Sequence, residues 1–137
     1  MGRILAIDYG LKRTGLAVTD PLKIIASPLT TIHTATVFEF IKQYTAKENV
    51  EKIIVGFPYY KEGETTEWQK KIINFADELK TLTGIAVELY DESYTSRLAV
   101  QAMVQGNMKK KDRKKKENID KLSATILLQD YLNSLQL

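Results

Sequence analysis

Arg3-Ile4-Leu5-Ala6-Ile7-Asp8-Tyr9-Gly10-Leu11-Lys12-Arg13-Thr14-Gly15-Leu16-Ala17-Val18-Thr19-Asp20 is the stretch on which the fold class turns. Residues 3–9 form a short apolar run with β-branched members, closed by Gly10, and read as a buried strand. Residues 10–13 make a tight basic turn, residues 14–19 a second strand, and Asp20-Pro21 another turn. A third strand falls within residues 24–32, with Pro28 limiting how far its ladder can run. Three strands joined by short links predict an antiparallel meander.

Beyond the meander the apolar spacing changes. Val37, Phe38, Ile41 and Tyr44 predict a helix over 36–47. Residues 52–57 (KIIVGF) are apolar without alternation, as in a strand covered on both faces. Residues 58–63 read as a loop. Trp68, Ile72, Phe75, Ala76, Leu79 and Leu82 form one stripe of a helix over 64–83, which Gly84 ends. Residues 85–90 make a fifth strand. Thr95 caps a helix bearing Leu98, Ala99, Ala102 and Met103, stopped by Gly106, and residues 117–135 form the last helix. The order βββ-α-β-α-β-α-α predicts one α/β domain. Its mixed five-stranded sheet has the first three strands antiparallel, the fourth and fifth parallel, and helices on both faces.

At 137 residues the chain suits a single domain with a real core, and 44% hydrophobic with 27% charged residues is ordinary for a globular protein. The absence of cysteine excludes disulfides and thiolate metal sites. The first apolar run ends in an acid and is too short for a signal peptide, and no stretch is long enough to cross a bilayer, so the expected compartment is the cytoplasm. The charge is unevenly placed. Lys109-Lys110-Lys111-Asp112-Arg113-Lys114-Lys115-Lys116 carries +6 of a net +3, which leaves −3 for the rest.

Three acids stand where acids are costly or well addressed. Asp8 ends a buried strand, where a carboxylate needs a partner; the competing reading is a turn-forming Asp before Gly10. Asp91 and Glu92 follow the fifth strand, and parallel sheets place ligands at the carboxyl ends of strands. Alternation sets Asp91 with Ile85, Val87 and Leu89, and Glu92 with Glu88 and Tyr90, without saying which side holds a site. Asp120 shares a helical face with Ala124, Leu127, Leu128, Tyr131 and Leu135, so it is expected to point toward the sheet; the competing reading is a first-turn acid favoured by the helix dipole. Acids from three segments at one sheet end offer oxygen ligands only. Such ligands select Mg2+ or Mn2+ and suit phosphodiester hydrolysis. His33 has no evident partner and reads as structural or surface.

With these residues in place, 7–20 (IDYGLKRTGLAVTD) resembles the opening motif of the YqgF family, ribonuclease-H-like proteins described as Holliday-junction resolvases and pre-16S rRNA nucleases. Ile54-Val55-Gly56-Phe57-Pro58 followed by Gly63, Asp91-Glu92 with Thr95, and Ile119-Asp120-Lys121 with Ala124 and Ile126-Leu127-Leu128 resemble its later motifs, in order, nearly end to end. The resemblance implies a ribonuclease-H-like fold and a divalent-metal nuclease. It also implies that Asp8, Glu92 and Asp120 bind metal and catalyse, which chooses Glu92 over Asp91. Three positions depart from the family pattern: Ser93 where an Arg is usual, Tyr59-Tyr60-Lys61 in the second-motif loop, and Ser123-Ala124 where two alanines are usual. Arg97 is a candidate replacement for the missing basic contact.

The expected partner is nucleic acid, with structured or single-stranded RNA favoured over branched DNA, and with no membrane. Lys109, Lys110, Lys111, Arg113, Lys114, Lys115 and Lys116, just before Asp120, would hold phosphates without reading sequence. Lys12 and Arg13 would join them, and Tyr59 and Tyr60 would stack on unpaired bases. A monomer is favoured over a dimer. An actin-like ATPase shares the strand-Asp-x-Gly-turn-strand opening but needs two such domains. A non-catalytic RNA-binding module would gain nothing from three metal-seeking acids.

Overall fold

The structure is a computed structural model that describes residues 2–58, 66–92 and 115–135, with side chains from 122 onward in the last of these segments. Its strands are β1 (Arg3–Asp8), β2 (Arg13–Thr19), β3 (Ala26–His33), β4 (Val50–Phe57) and β5 (Ala86–Asp91). Its helices are α1 (Val37–Lys47), entered through a 3-10 turn at Thr34–Thr36, then α2 (Glu67–Thr83) and α3 (Lys115–Ser134). The strands form one sheet in the order β3-β2-β1-β4-β5. β1–β2 and β2–β3 pair antiparallel, and β1–β4 and β4–β5 parallel, as the strand order predicts. Pro28 lies on edge strand β3, where the register slips by one residue and no inner ladder is broken.

Strand alternation divides the core in two. Leu5, Ile7, Ile53, Val55 and Phe57 face α1 and α2, where Val37, Ile41, Ile72, Phe75 and Leu79 cover them. Ile4, Ala6 and Ile54 point the other way, under Ala124, Leu127, Leu128, Tyr131 and Leu132 of α3. Residues 4–7 of β1 and 53–57 of β4 therefore carry no polar side chain, because both their faces are covered. α2 begins with a reciprocal capping box: Thr66 Oγ1 accepts the Gln69 N–H, and Gln69 Oε1 accepts the Thr66 N–H. It ends at Gly84, whose φ of 72° no β-carbon obstructs.

The sequence stripes overreach at two points. Leu82 is 40% exposed at the solvent end of α2, and Leu135 is 56% exposed because α3 has already ended at Ser134; Leu132 is buried in its place. α3 begins two residues earlier than the expected 117, taking in Lys115 and Lys116, since lysine is a good helix former.

The direction of α3 matters for function. Leu127 lies over Gly56 near the end of β4, whereas Tyr131 meets Lys52 near its start. α3 therefore runs opposite to β4, and its N-terminal turns lie toward the carboxyl ends of the parallel strands.

Candidate active site

Asp8 is the last residue of β1 and is 8% exposed. Alternation from Ile4 and Ala6 puts it on the α3 face. Its lateral neighbours are both glycines: Gly15 is its registered partner on β2, and Gly56 follows Val55, the partner of Ile7, on β4. Neither lateral neighbour therefore sets a side chain of its own beside this carboxylate. Glu92 lies one residue beyond β5, where its N–H donates to the Phe57 carbonyl (3.1 Å) and extends the β4–β5 ladder. Its carboxyl group turns back over Gly56, close enough that a β-carbon there would stand 3.2 Å from Oε1. Glu88 and Tyr90 share this face, both meeting Tyr131 of α3. Val87 and Leu89 pack into the opposite core, the side to which Asp91 belongs by alternation. The geometry thus separates two adjacent acids that periodicity alone leaves open.

Asp120 lies in α3, one turn before Ala124 and two turns before Leu127. That places its backbone at the same end of the sheet as Asp8 and Glu92; its side chain is outside the described atoms. Ser123, on the next turn, is 8% exposed, and its Oγ is buried with no hydrogen-bond partner among the described residues. Among the described residues no three acidic or histidine side chains form a metal-binding cluster.

Two devices fix the end of β1. The Tyr9 ring stacks on Phe75 (4.1 Å between centroids) and Trp68 (5.7 Å), anchoring the residue after Asp8 to α2. Burial, with the Glu78 charge second, raises the Tyr9 phenol above its ordinary pKa. The β1–β2 turn is tied to the 3-10 turn: Thr34 Oγ1 donates to the Gly10 carbonyl (2.7 Å), and the Thr34 N–H donates to the Lys12 carbonyl (2.9 Å). Thr14 Oγ1 lies 2.8 Å from Thr34 Oγ1. Gly10 is required there, because a β-carbon would collide with the Arg13 carbonyl oxygen. Lys12 (exposed) and Arg13 (half-buried) are thereby held at the acid end of the sheet. His33 is exposed.

Tyr59, Tyr60, Arg97, Lys109, Lys110, Lys111, Arg113 and Lys114, and the helix expected after Thr95, lie outside the described residues. Sequence reasoning assigned no role in the site to Gly15 or Gly56, though both lie within the family motifs, and noted Ser123 without giving it one. The two glycines have no side chain to read, and only strand register reveals that they flank Asp8.

Known proteins agree with this architecture. The family model described as "RuvX: Holliday junction resolvase" matches residues 2–134. A protein of Amoebophilus asiaticus is 51% identical over 135 residues, covering 98% of this chain and 96% of its own, and one of Phocaeicola vulgatus is 53% identical over 135 residues, covering 98% and 97%. Both carry the name "Putative pre-16S rRNA nuclease". Among solved structures, T. thermophilus RuvC in complex with a Holliday junction substrate superposes with a TM-score of 0.57 at 14% identity, over 98% of this chain and 96% of that one. The Fowlpox virus resolvase with its Holliday junction DNA gives 0.56 at 17% identity, over 97% and 98%. At such identities the likeness is one of fold, and the fold is ribonuclease-H-like. With the family model covering nearly the whole chain and relatives identical at about half of all positions, this chain belongs to the RuvX family, the YqgF family whose motifs its sequence carries.

Proposed function

We propose that this chain is a divalent-metal-dependent nuclease that hydrolyses phosphodiester bonds in RNA, acting in the cytoplasm on the 5′ end of precursor 16S ribosomal RNA. The observation that supports this most is the placement of Asp8 and Glu92 on one face at one end of the sheet, with Gly15 and Gly56 flanking Asp8 and the N-terminal turns of α3, which carry Asp120, at the same end. The residues fit Mg2+ or Mn2+: the donors are oxygens, and the Ser123 Oγ, buried with no hydrogen-bond partner among the described residues, is a polar atom that hydration around an ion would satisfy. Asp8, Glu92 and Asp120 would hold the ion. When bound, it supplies an activated water and stabilises charge on the leaving oxygen.

The chain's own work is binding and orientation. Lys12 and Arg13, held by the Thr34 ties, contact phosphates beside the scissile bond. The basic run 109–116 grips the backbone through charge, Tyr59 and Tyr60 stack on unpaired bases, and Arg97 supplies the basic contact that Ser93 does not. RNA is favoured because the names of the relatives point to it. A second reading, resolution of four-way DNA junctions, is favoured by the description of the family model.

The test is a pair of variants. Asp8→Asn abolishes Mg2+- or Mn2+-dependent cleavage with the fold retained. Without metal it raises the melting temperature, because like charges brought together repel. Asp91→Asn, on the other face, leaves cleavage close to the wild-type rate. Equal activity of the two variants would overturn the assignment.

A further inference from the structure

Gly56 stands in β4 between the two described acids. It lies beside Asp8 on one side and pairs with Tyr90 on the other, and the Glu92 carboxyl occupies the space above it. A methyl group on Gly56 would meet Glu92 Oε1 at 3.2 Å, Glu92 Cδ at 3.7 Å and Leu127 Cδ2 at 3.2 Å. The two shorter contacts are tighter than ordinary van der Waals distance, so a neighbour must yield by a few tenths of an ångström. Leu127 is 5% exposed and wedged in the core between α3 and the sheet. Glu92 lies beyond the end of its strand and is half-buried, so its carboxyl is the neighbour that moves.

We propose that Gly56 is a positioning residue: the space left by its missing side chain seats the Glu92 carboxylate, and the depth of that seat tunes the site to Mg2+ over larger divalent ions. The inference rests on the metal-nuclease reading. Its physical basis is that Mg2+ demands nearly ideal octahedral ligands at about 2.0–2.1 Å, whereas Ca2+ accepts irregular shells at about 2.3–2.6 Å. A shift of a few tenths of an ångström is the size of that difference, and it penalises the smaller, stricter ion more.

The measurement is electron paramagnetic resonance of Mn2+, which separates bound from free ion without substrate or turnover; competition with Mg2+ and with Ca2+ then ranks those ions. Gly56→Ala is expected to weaken Mn2+ binding about tenfold or more, the range found when groups that orient metal ligands are altered. It is also expected to lower the Mg2+/Ca2+ preference. Leu127→Val alone leaves Mn2+ binding unchanged. Added to Gly56→Ala it relieves the packing clash but not the one with Glu92, so the weakened affinity persists. If Gly56→Ala alone does not give a cooperative thermal transition, the double variant carries the measurement. Recovery of affinity in the double variant would mean that the methyl acted through α3, and would overturn the proposal. Wild-type Mn2+ affinity in Gly56→Ala would also overturn it while leaving the nuclease reading intact. A wild-type chain that binds no Mn2+ would overturn the nuclease reading, and the seat with it.

Discussion

At the scale of single residues, one carboxylate shows how much local order a single acid can impose. Asp20 follows β2, and its Oδ1 accepts the N–H groups of Ile25 (2.7 Å) and Ile24 (2.8 Å), while Oδ2 accepts that of Leu22 (3.0 Å). These bonds, with that from Ile25 the largest cause, hold its pKa below the ordinary value of 3.8. A depressed carboxylate pKa contributes stability that is present above the ordinary value and is lost as pH falls through the folded one. Asp20→Ala should therefore speed hydrogen exchange at the amides of Leu22, Ile24 and Ile25 at neutral pH; in the wild type the same loosening should begin only below about pH 3.8. Unchanged exchange at all three amides in the variant would refute this. Asp20 was legible in the sequence as a turn former. Asp8 was legible too, because an acid closing an apolar strand is costly. The choice of Glu92 over Asp91 was not legible from spacing, because it depends on which face α3 covers, a fact of tertiary packing.

Among the elements, α3 shows both the reach and the limit of periodicity. Its apolar stripe foretold the residues that meet the sheet, but not the polar contact that holds it there. Lys52 Nζ lies 2.6 Å from Tyr131 OH and 2.6 Å from Glu88 Oε1, and the Tyr90 ring meets Tyr131 edge-on at 5.2 Å. The Glu88 bond first, then that to Tyr131, raises the Lys52 pKa, so the ammonium stays charged. Tyr131→Phe keeps the ring contact and removes the hydroxyl. It should cost about 1 kcal/mol, the ordinary net worth of one hydrogen bond, read by urea denaturation. A cost near zero would mean that water replaces the hydroxyl at this half-exposed lysine. Glu88 and Lys52 stand 43 and 79 positions from Tyr131, so only the folded register brings the three together. The strands and their order were legible because the meander and the crossovers each leave a pattern in the chain. The ends of α2 and α3 were less so, since Leu82 and Leu135 extend a stripe past the point where the sheet stops covering it.

Across the whole molecule, charge and apolar surface together bear on what is bound and in what state. The run from Lys109 to Lys116 carries +6 on a chain otherwise at −3, so the electrostatic attraction for a phosphate backbone is concentrated in one segment. Replacing Lys109, Lys110, Lys111 and Lys114 by Ser should lower RNA affinity and reduce the slope of log affinity against log salt by about 0.7 to 0.9 for each phosphate no longer neutralised. An unchanged slope would mean that the lysines are only solvated. Leu22, Ile24 and Ile25 are 58–61% exposed in the β2–β3 loop, at the end of the sheet opposite the acids. Stable dimers bury on the order of 1,200 Å² or more in total, and three side chains supply only a small part of that. We propose a monomer, to be checked by sedimentation at micromolar concentration. A monomer has one acid site, which suffices to trim an RNA end, whereas resolving a four-way junction takes two symmetric cuts. The deciding comparison sets cleavage of a precursor 16S ribosomal RNA end against cleavage of a mobile four-way DNA junction, under the same metal and salt, with Asp8→Asn as the control. RNA cleavage by a monomer is the expected outcome. A stable dimer that makes paired nicks in the junction and leaves the RNA intact would replace the RNA-processing reading with that of a resolvase.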